Sequence, residues 1–394
     1  MGAAMPRELA EKAEEVALSE YAAKSYDRKR CARRLYRQEP DYCRTEFQRD
    51  YTRIIHSTAF RRLRNKTQVF ISPKNDHVCT RMEHSIHVAS VARTIARALR
   101  LNVDLVDAIA VGHDLGHGPF GHKGEQCLGV LAKEFKLSYR HETQSLRVVD
   151  FLESPYFETG KHMGLNLTFA VRDGIVCHCG EASQGGGLCP DLDRDDIPQD
   201  LQPDTLMPAT LEGCVVRLAD SVAYLGRDLE DAIATGIVCA TDLPQNVRKT
   251  LGDDNRSIIR SLVQDIVANN QNEPCIALSN EVIAGLAEFR EFSKKRIYED
   301  LRVQRPWRQI ERSLTNMFEF LSTELRKGSL KSACPKDNEP GVIGVLREFL
   351  WHDLHGQVDG AKHPEQVALD FIGGMTDAYF IRSYRELFLP ESTA

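Results

Sequence analysis

The sequence predicts an all-α fold, and three observations carry that prediction. Apolar residues recur at helical spacing, as in Val88, Val91, Ile95 and Leu99, and again in Val215, Leu218, Val222, Leu225, Leu229 and Ala232. Residues 243–388 keep a helical pattern broken by turns at 269–274, 328–341 and 356–364, without strand-like alternation. No internal repeat is present. The expected architecture is a helical bundle over residues 46–240 with a loop insertion at about 180–208, preceded by an arm over 1–45. A further helical region, residues 241–394, is expected to pack on that core. With 394 residues, 42% of them hydrophobic, the chain can bury a large interior.

Composition removes several function classes. A net charge of −6 argues against a dedicated nucleic-acid binder, so a phosphate-bearing ligand would need positive charge concentrated locally. No apolar run approaches membrane-spanning length and the N-terminal residues lack a signal-peptide core, so we expect a cytoplasmic protein without a membrane partner. Eleven cysteines without regular spacing suggest reduced thiols rather than a disulfide framework.

Residues up to about Pro40 are polar and charged and read as a surface helix or arm. In EFQRDYTRIIHSTAFRRLRNKTQVF an apolar stripe of Ile54, Ile55, Ala59 and Leu63 is crowded by Arg53, Arg61, Arg62, Arg64 and Lys66. Singly these cations are a solvated face; as a group they could bind phosphates. A loop, residues 71–80, leads to RMEHSIHVASVARTIARALRLNVDLVDAIAVGHDLGHGPFGHKGE. His84 lies on the Val88 stripe, and Val106, Ile109 and Ala110 lead to His113 in the same way. Two helices would thus aim one histidine each into a shared interior, with Asp114 directly after His113. Alone, His84 reads as a satisfied core residue. The adjoining H-D-x-G-H-x-x-x-x-H-x-x-E alters that reading, because so many titratable groups cannot be buried cheaply without a charge to organise them. Imidazole and carboxylate are usual ligands of a divalent first-row metal.

After Glu125 a helix through Leu131 leads to His141 and Glu142. An amphipathic stretch, LNLTFAVRDGIVCHCGE, runs into the Gly-, Pro- and Asp-rich insertion. Cys177, His178, Cys179 and Cys189 could be a structural metal site, but C-x-C without a C-x-x-C partner matches that pattern poorly. In LEGCVVRLADSVAYLGRDLEDAIATG a second stripe, Asp220, Tyr224 and Asp228, follows at i, i+4 and i+8. Polar residues at that spacing normally face solvent. Asp220, flanked by Leu218, Ala219 and Val222, is instead well placed to be the missing carboxylate ligand.

The pattern H…HD…D resembles the HD-domain phosphohydrolases. RDYTRIIHSTAFRRLRNKTQVF, RMEHS, GHDLGHGPFGHKGE, VVRLADSVAYLGRDLEDAI and DFIGGMTDAYF are similar to successive motifs of the deoxynucleoside triphosphate triphosphohydrolases, the dGTPase-like group, over about residues 46–380. That resemblance implies a divalent ion (Mn²⁺, Mg²⁺, Fe²⁺ or similar) on His84, His113, Asp114 and Asp220. It implies a catalytic group of His117, His122, Glu125 and His141, a phosphate-contacting Arg81, and a deoxyribose held by Gln68, Tyr224 and Asp228. One branch of the family has a lysine just after the last metal Asp where this chain has Ser221, so Arg53, Arg61 or Arg217 is expected to supply phosphate contacts. His87 matches no family ligand and reads as structural.

The chemistry supports this independently. Phosphoester cleavage needs a nucleophile at neutral pH, neutralised phosphate charge and a protonated leaving group. His122 and Glu125, one helical turn apart, could provide a histidine oriented and raised in pKa by a carboxylate. The resemblance implies attack at the α-phosphorus of a dNTP, releasing deoxynucleoside and tripolyphosphate. A homo-oligomer is expected, with an allosteric nucleotide or single-stranded DNA as further candidate partners. The rivals are another HD phosphohydrolase or phosphodiesterase, and a nucleotide-sensing or single-strand-binding module with little catalysis. Cyclic-dinucleotide phosphodiesterases carry Lys after HD-x-G and a GYP motif; this chain has His117 there and no GYP.

Overall fold

One short helix, Val103–Gly112, is buried along Leu105, Val106, Ala108, Ile109, Ala110 and Val111, so it must be covered on every side. The computed structural model describes residues 5–68, 79–153, 164–180, 187–198, 201, 203, 205–328, 341–352, 354, 360 and 362–390. In chain order the helices are α1 (Pro6–Ala17), α2 (Glu46–His56), α3 (Thr58–Arg62), α4 (Arg81–Ala98), α5 (Val103–Gly112), α6 (Gly121–Glu134), α7 (His141–Arg147), α8 (Phe169–Val176) and α9 (Leu211–Ala234). They continue with α10 (Gln245–Thr250), α11 (Asn255–Asn269), α12 (Asn280–Ser293), α13 (Leu301–Gln304), α14 (Trp307–Arg326), α15 (Gly341–His352), α16 (Pro364–Gly373) and α17 (Asp377–Phe388). The fold is all-α, and among the described residues β structure is confined to isolated bridges.

The central helix α5 packs against α2, α4, α8 and α9. Side-chain caps set where α5 and three of its neighbours, α2, α4 and α9, begin: Thr45, Thr80, Asn102 and Thr210 accept from the backbone N–H of Gln48, Glu83, Leu105 and Gly213. Two glycines let α5 and α8 approach closely. A Cβ on Gly112 would stand 2.7 Å from Ile175 Cδ1, and one on Gly174 would stand 2.4 Å from Ile109 Cδ1. Any larger residue would push the helices apart, along with the histidines that follow each of them.

Two expectations need correction. The N-terminal arm is more than a surface appendage: Ala22, Ala23, Cys31 and Ala32 are buried in the common core. Its charge misled because Arg34 is neutralised inside, 2.6 Å from both Glu46 and Asp50. Nor are all cysteines free thiols. Cys189 and Cys275 form a disulfide that ties the insertion to the α11–α12 connection, beside the backbone bridge Leu188–Ile276. Their separation of 86 residues hides the pair from any spacing rule. No helix among the described residues is long and apolar enough to cross a membrane.

The C-terminal helices brace the site from outside: α14 packs on α6 and α16, and α16 on α6. Asp377, opening α17, accepts from the Phe120 N–H (3.0 Å) and the Thr67 N–H (3.2 Å). It thereby holds the turn in which Phe120 and Gly121 both have positive φ (68° and 61°) and from which α6 starts.

Candidate active site

His84, one turn into α4, meets Asp220 of α9 with Nε2 and Oδ1 2.8 Å apart. His113 caps the end of α5, where its Nδ1 lies 2.7 Å from the Ala110 carbonyl. A carbonyl only accepts, so the proton is on Nδ1 and the Nε2 lone pair faces the cluster. That Nε2 is buried without a hydrogen-bond partner among the described residues, 3.4 Å from Asp114 Oδ1 and 3.8 Å from Asp220 Oδ1. A lone pair facing two carboxylates is costly unless a cation joins them. His84, His113 and Asp220 form one group that could hold a divalent first-row ion, and Asp114, 3.4 Å from His113 Nε2 and 4.0 Å from His84 Nε2, adds a second carboxylate, while His178 groups with His113 and Asp114. Burial works against charge on His84, but the Asp220 bond and the two carboxylates raise its pKa. Burial likewise opposes charge on Asp114, yet the Arg81 guanidinium beside it holds it well below the usual carboxylate range.

Arg81 opens α4 and is 1% exposed, which only a paired cation tolerates. Its Nη1 donates to Asp114 Oδ2 (2.9 Å) and its Nε to the Thr67 carbonyl (3.3 Å), leaving Nη2 without a partner among the described residues.

Beside this quartet, ring nitrogens and carboxylate oxygens of His117, His122, Glu125 and His141 lie within 4.8 Å of one another. Glu125 accepts from His141 three times, from Nδ1 at 2.9 and 3.0 Å and from the backbone N–H at 2.8 Å. His122 Nδ1 stands 3.5 Å from the same carboxylate, and its side chain is 62% exposed. The sequence-based pairing of His122 with Glu125 is thus secondary. One-turn spacing brings them near, but the start of α7 presents both a ring and a backbone donor to Glu125. The His117 ring stacks on His141 at 3.9 Å and lies 3.1 Å from Asp114 Oδ1, out of line for a hydrogen bond. Burial opposes charge on His141, but the Glu125 carboxylate lifts it well above the ordinary histidine value. Burial and the Arg81 charge push His117 well below that value.

Along α9 the stripe continues from Asp220 to Tyr224 and Asp228, which face the protein rather than solvent. Burial, only partly offset by Arg290 of α12, raises the Tyr224 phenol. Asp228 is pushed up to about 7 by burial, against the hydrogen bond it accepts from the Tyr298 hydroxyl (2.6 Å).

A family profile for the HD domain matches residues 81–225, which contain all four candidate metal ligands. Over 387 residues the chain is 40% identical to a deoxyguanosinetriphosphate triphosphohydrolase-like protein of Caldanaerobacter subterraneus subsp. tengcongensis, covering 98% of this chain and 96% of that protein. The chain belongs to the deoxyguanosinetriphosphate triphosphohydrolase-like family. A relative of that name from Desulfatibacillum aliphaticivorans is 36% identical over 94% of this chain and 93% of its own length. Another, from Thiobacillus denitrificans, is 33% identical over 91% and 94%.

Against this family background several arginines are elsewhere than expected. Arg53 donates to the Leu165 and Asn166 carbonyls (2.8 and 2.9 Å), near the start of α8, whereas His178 follows its other end, about 12 Å along the helix. Arg61 bonds the His56 carbonyl and is exposed, and Arg217 is spent on the Gly180, Cys177 and Leu206 carbonyls. Basic residues around an apolar stripe had no periodicity to aim them, and backbone carbonyls took them. Gln68 is buried at the edge of the described residues with its Oε1 unpartnered there; most of the 71–80 loop lies outside them. His87 is half-buried on α4 and belongs to none of the possible metal-holding groups among the described residues.

Two residues near the site, Arg290 and Tyr298, escaped the sequence reading, and two others, His178 and Cys179, were singled out only as parts of a different cluster. The proposed cluster of Cys177, His178, Cys179 and Cys189 does not form, since Cys177 turns to Asp173 (3.7 Å) and Cys189 is in the disulfide. His178 packs edge-on against His113, ring centroids 4.8 Å apart. Besides its place between two cysteines, its legible signal was that it follows buried Ile175 at the spacing by which His113 follows Ala110. Arg290 and Tyr298 are on α12 and the wide turn Lys294–Tyr298 after it, where nothing in the sequence marks them.

Proposed function

We propose that the chain is a metal-dependent hydrolase that splits deoxynucleoside triphosphates, dGTP-like substrates among them, into deoxynucleoside and tripolyphosphate. The observation carrying this reading is the continuity of one interior. A quartet suited to a divalent ion adjoins a carboxylate-held histidine group, and the Asp220–Tyr224–Asp228 stripe leads from it towards Arg290 and Tyr298. The relatives' name, deoxyguanosinetriphosphate triphosphohydrolase-like, supports the substrate class.

When bound, a divalent ion acidifies water and polarises phosphoryl oxygen. The chain's own residues supply the rest. Arg81 offers its remaining N–H edge to phosphate oxygen. Water adds at the α-phosphorus, the bond to the 5′-oxygen breaks, and the departing oxygen takes a proton from His122, the one histidine of its group with an exposed ring. Glu125 and His141 hold the charge behind it, with His117 against the phosphates. Tyr224 under the sugar leaves little room for a 2′-hydroxyl, and Asp228 accepts from the 3′-hydroxyl.

Incubation with each dNTP and Mn²⁺, followed by phosphorus NMR of the products, tests this. Tripolyphosphate with deoxynucleoside is the expected outcome. Pyrophosphate with a nucleoside monophosphate would make it a different phosphohydrolase. Tight nucleotide or single-strand binding without turnover would make it a sensing module.

A further inference from the structure

His178 and Cys179 stand beside the acid/base group without a part in that reaction. His178 is built as His113 is: each ends a buried helix and gives Nδ1 to the carbonyl three residues back, Ile175 at 2.6 Å and Ala110 at 2.7 Å. A carbonyl only accepts, so the Nε2 of His178 presents a lone pair. His141 also spends Nδ1 on an acceptor, the Glu125 carboxylate, which leaves its Nε2 facing the other way. The two Nε2 atoms meet at 3.1 Å, and Cys179 Sγ lies 3.3 Å from the His141 nitrogen. The three donor atoms, two of them on buried histidines, fall within 4.8 Å of one another.

Two ring nitrogens at that separation need a cation between them, either a proton or a metal ion. A proton on His141 can bridge one contact well, whereas a metal ion engages all three donors at once. Around tetrahedral zinc, with Zn–N about 2.0–2.1 Å and Zn–S about 2.3 Å, adjacent nitrogens lie about 3.3 Å apart and nitrogen and sulfur about 3.6 Å. The observed 3.1 and 3.3 Å are within a few tenths of an ångström of that geometry. Both rings also have the outer N–H fixed by an oxygen acceptor, as metal-bound histidines do.

We propose that His141, His178 and Cys179 form a second metal site, selective for a thiophilic divalent cation such as Zn²⁺, and that filling it stops turnover by occupying the free nitrogen of His141. The thiol proton and the Nε2 proton of charged His141 both leave to solvent as the ion binds, so no oxidant or reductant is involved. The inhibitory consequence rests on the acid/base role given to His141; the site itself does not.

Cobalt provides the test, because a thiolate bound to Co²⁺ gives a near-ultraviolet charge-transfer absorption that nitrogen and oxygen ligands do not. Full-length protein titrated with Co²⁺ should show this band, and Zn²⁺ should displace it. The band should persist in Asp220→Asn, whose change is confined to the quartet, and vanish in both Cys179→Ser and Cys179→Ala. Losing this ligand should weaken Zn²⁺ binding at the site by more than about 100-fold, beyond what loss of an outer hydrogen-bond partner costs. Absence of the band in wild type, or its survival in folded Cys179→Ser, overturns the site. Wild-type turnover unaffected by Zn²⁺ that has displaced the cobalt band overturns the inhibitory role alone. A protein inactive on dNTPs that still shows the band would retire the proposed function and leave the site standing.

Discussion

The two halves of the site are built in opposite ways. The quartet joins three places far apart in sequence: position 84 on α4, positions 113 and 114 directly after α5, and position 220 on α9. The acid/base group comes from residues 117–141, close in sequence, on a glycine-rich turn and two helix starts. In the quartet His84 and Asp220 take their direction from helix period, and His113 and Asp114 follow directly on the last turn of α5. In the local group no period sets direction, and there the expected partner of Glu125 turned out to be His141 rather than His122. Closeness in sequence is a poor guide to pairing where the backbone has no period.

The comparison can be broken most sharply at the quartet. His113→Ala or Asp220→Ala should remove the bound metal and lower turnover by more than the about 10²–10⁴-fold that general acid–base catalysis contributes. Metal analysis alongside far-ultraviolet circular dichroism checks this, and a fully metallated Asp220→Ala would place the fourth ligand elsewhere.

On the local half, His122→Ala should lower kcat by about 10²–10⁴-fold with metal and substrate binding retained. A kcat within a few-fold of wild type would move the acid role to His117 or His141. Glu125→Gln should be milder and carry a directional signature. Glu125 is what keeps His141 charged to unusually high pH. Without that carboxylate the charged form is lost at lower pH, so the alkaline limb of the pH–rate profile should move towards acid. An unmoved limb would mean that His141 is not the group titrating.

The sugar end of α9 should show smaller effects, in binding. Asp228→Ala removes a charged hydrogen-bond partner, typically about 1.5–3 kcal/mol, so KM for dNTPs should rise about 10- to 150-fold. Because burial pushes Asp228 up to about 7, its acceptor form appears only as pH rises through that value, and kcat/KM should rise with it. Tyr224→Ala should relax discrimination against rNTPs. Wild-type selectivity in both variants would mean other residues build the sugar pocket.

The least effect on turnover is expected at Glu212, outside both halves. It accepts from the backbone of Ala23 (3.0 Å) and Asn102 (2.9 Å), and burial pushes it up to about 7. A carboxyl raised on folding costs stability as pH climbs from its unfolded value to its folded one. Glu212→Gln should therefore gain thermal stability relative to wild type at pH 8 but not at pH 4, measured by thermal denaturation. An equal difference at both pH values would show that folding does not raise this carboxyl's pKa.

By itself the sequence determined the all-helical class, because apolar period is a local property that survives in any packing. It also aimed His84, His113 and Asp220 inward, since a side chain on a helix stripe inherits the direction of its neighbours. Tertiary structure alone decided the rest. The Gly112–Ile175 and Gly174–Ile109 contacts bring His178 against His113, and Asp377 of α17 holds the turn that begins α6. Arg290 and Tyr298 reach the α9 stripe from a region without any marking motif. Arg53 of α2 and Arg61 of α3 bond backbone carbonyls that no residue pattern announces. Each of these depends on which atoms meet across helices, and that is set by the closeness of packing rather than by the order of residues along the chain.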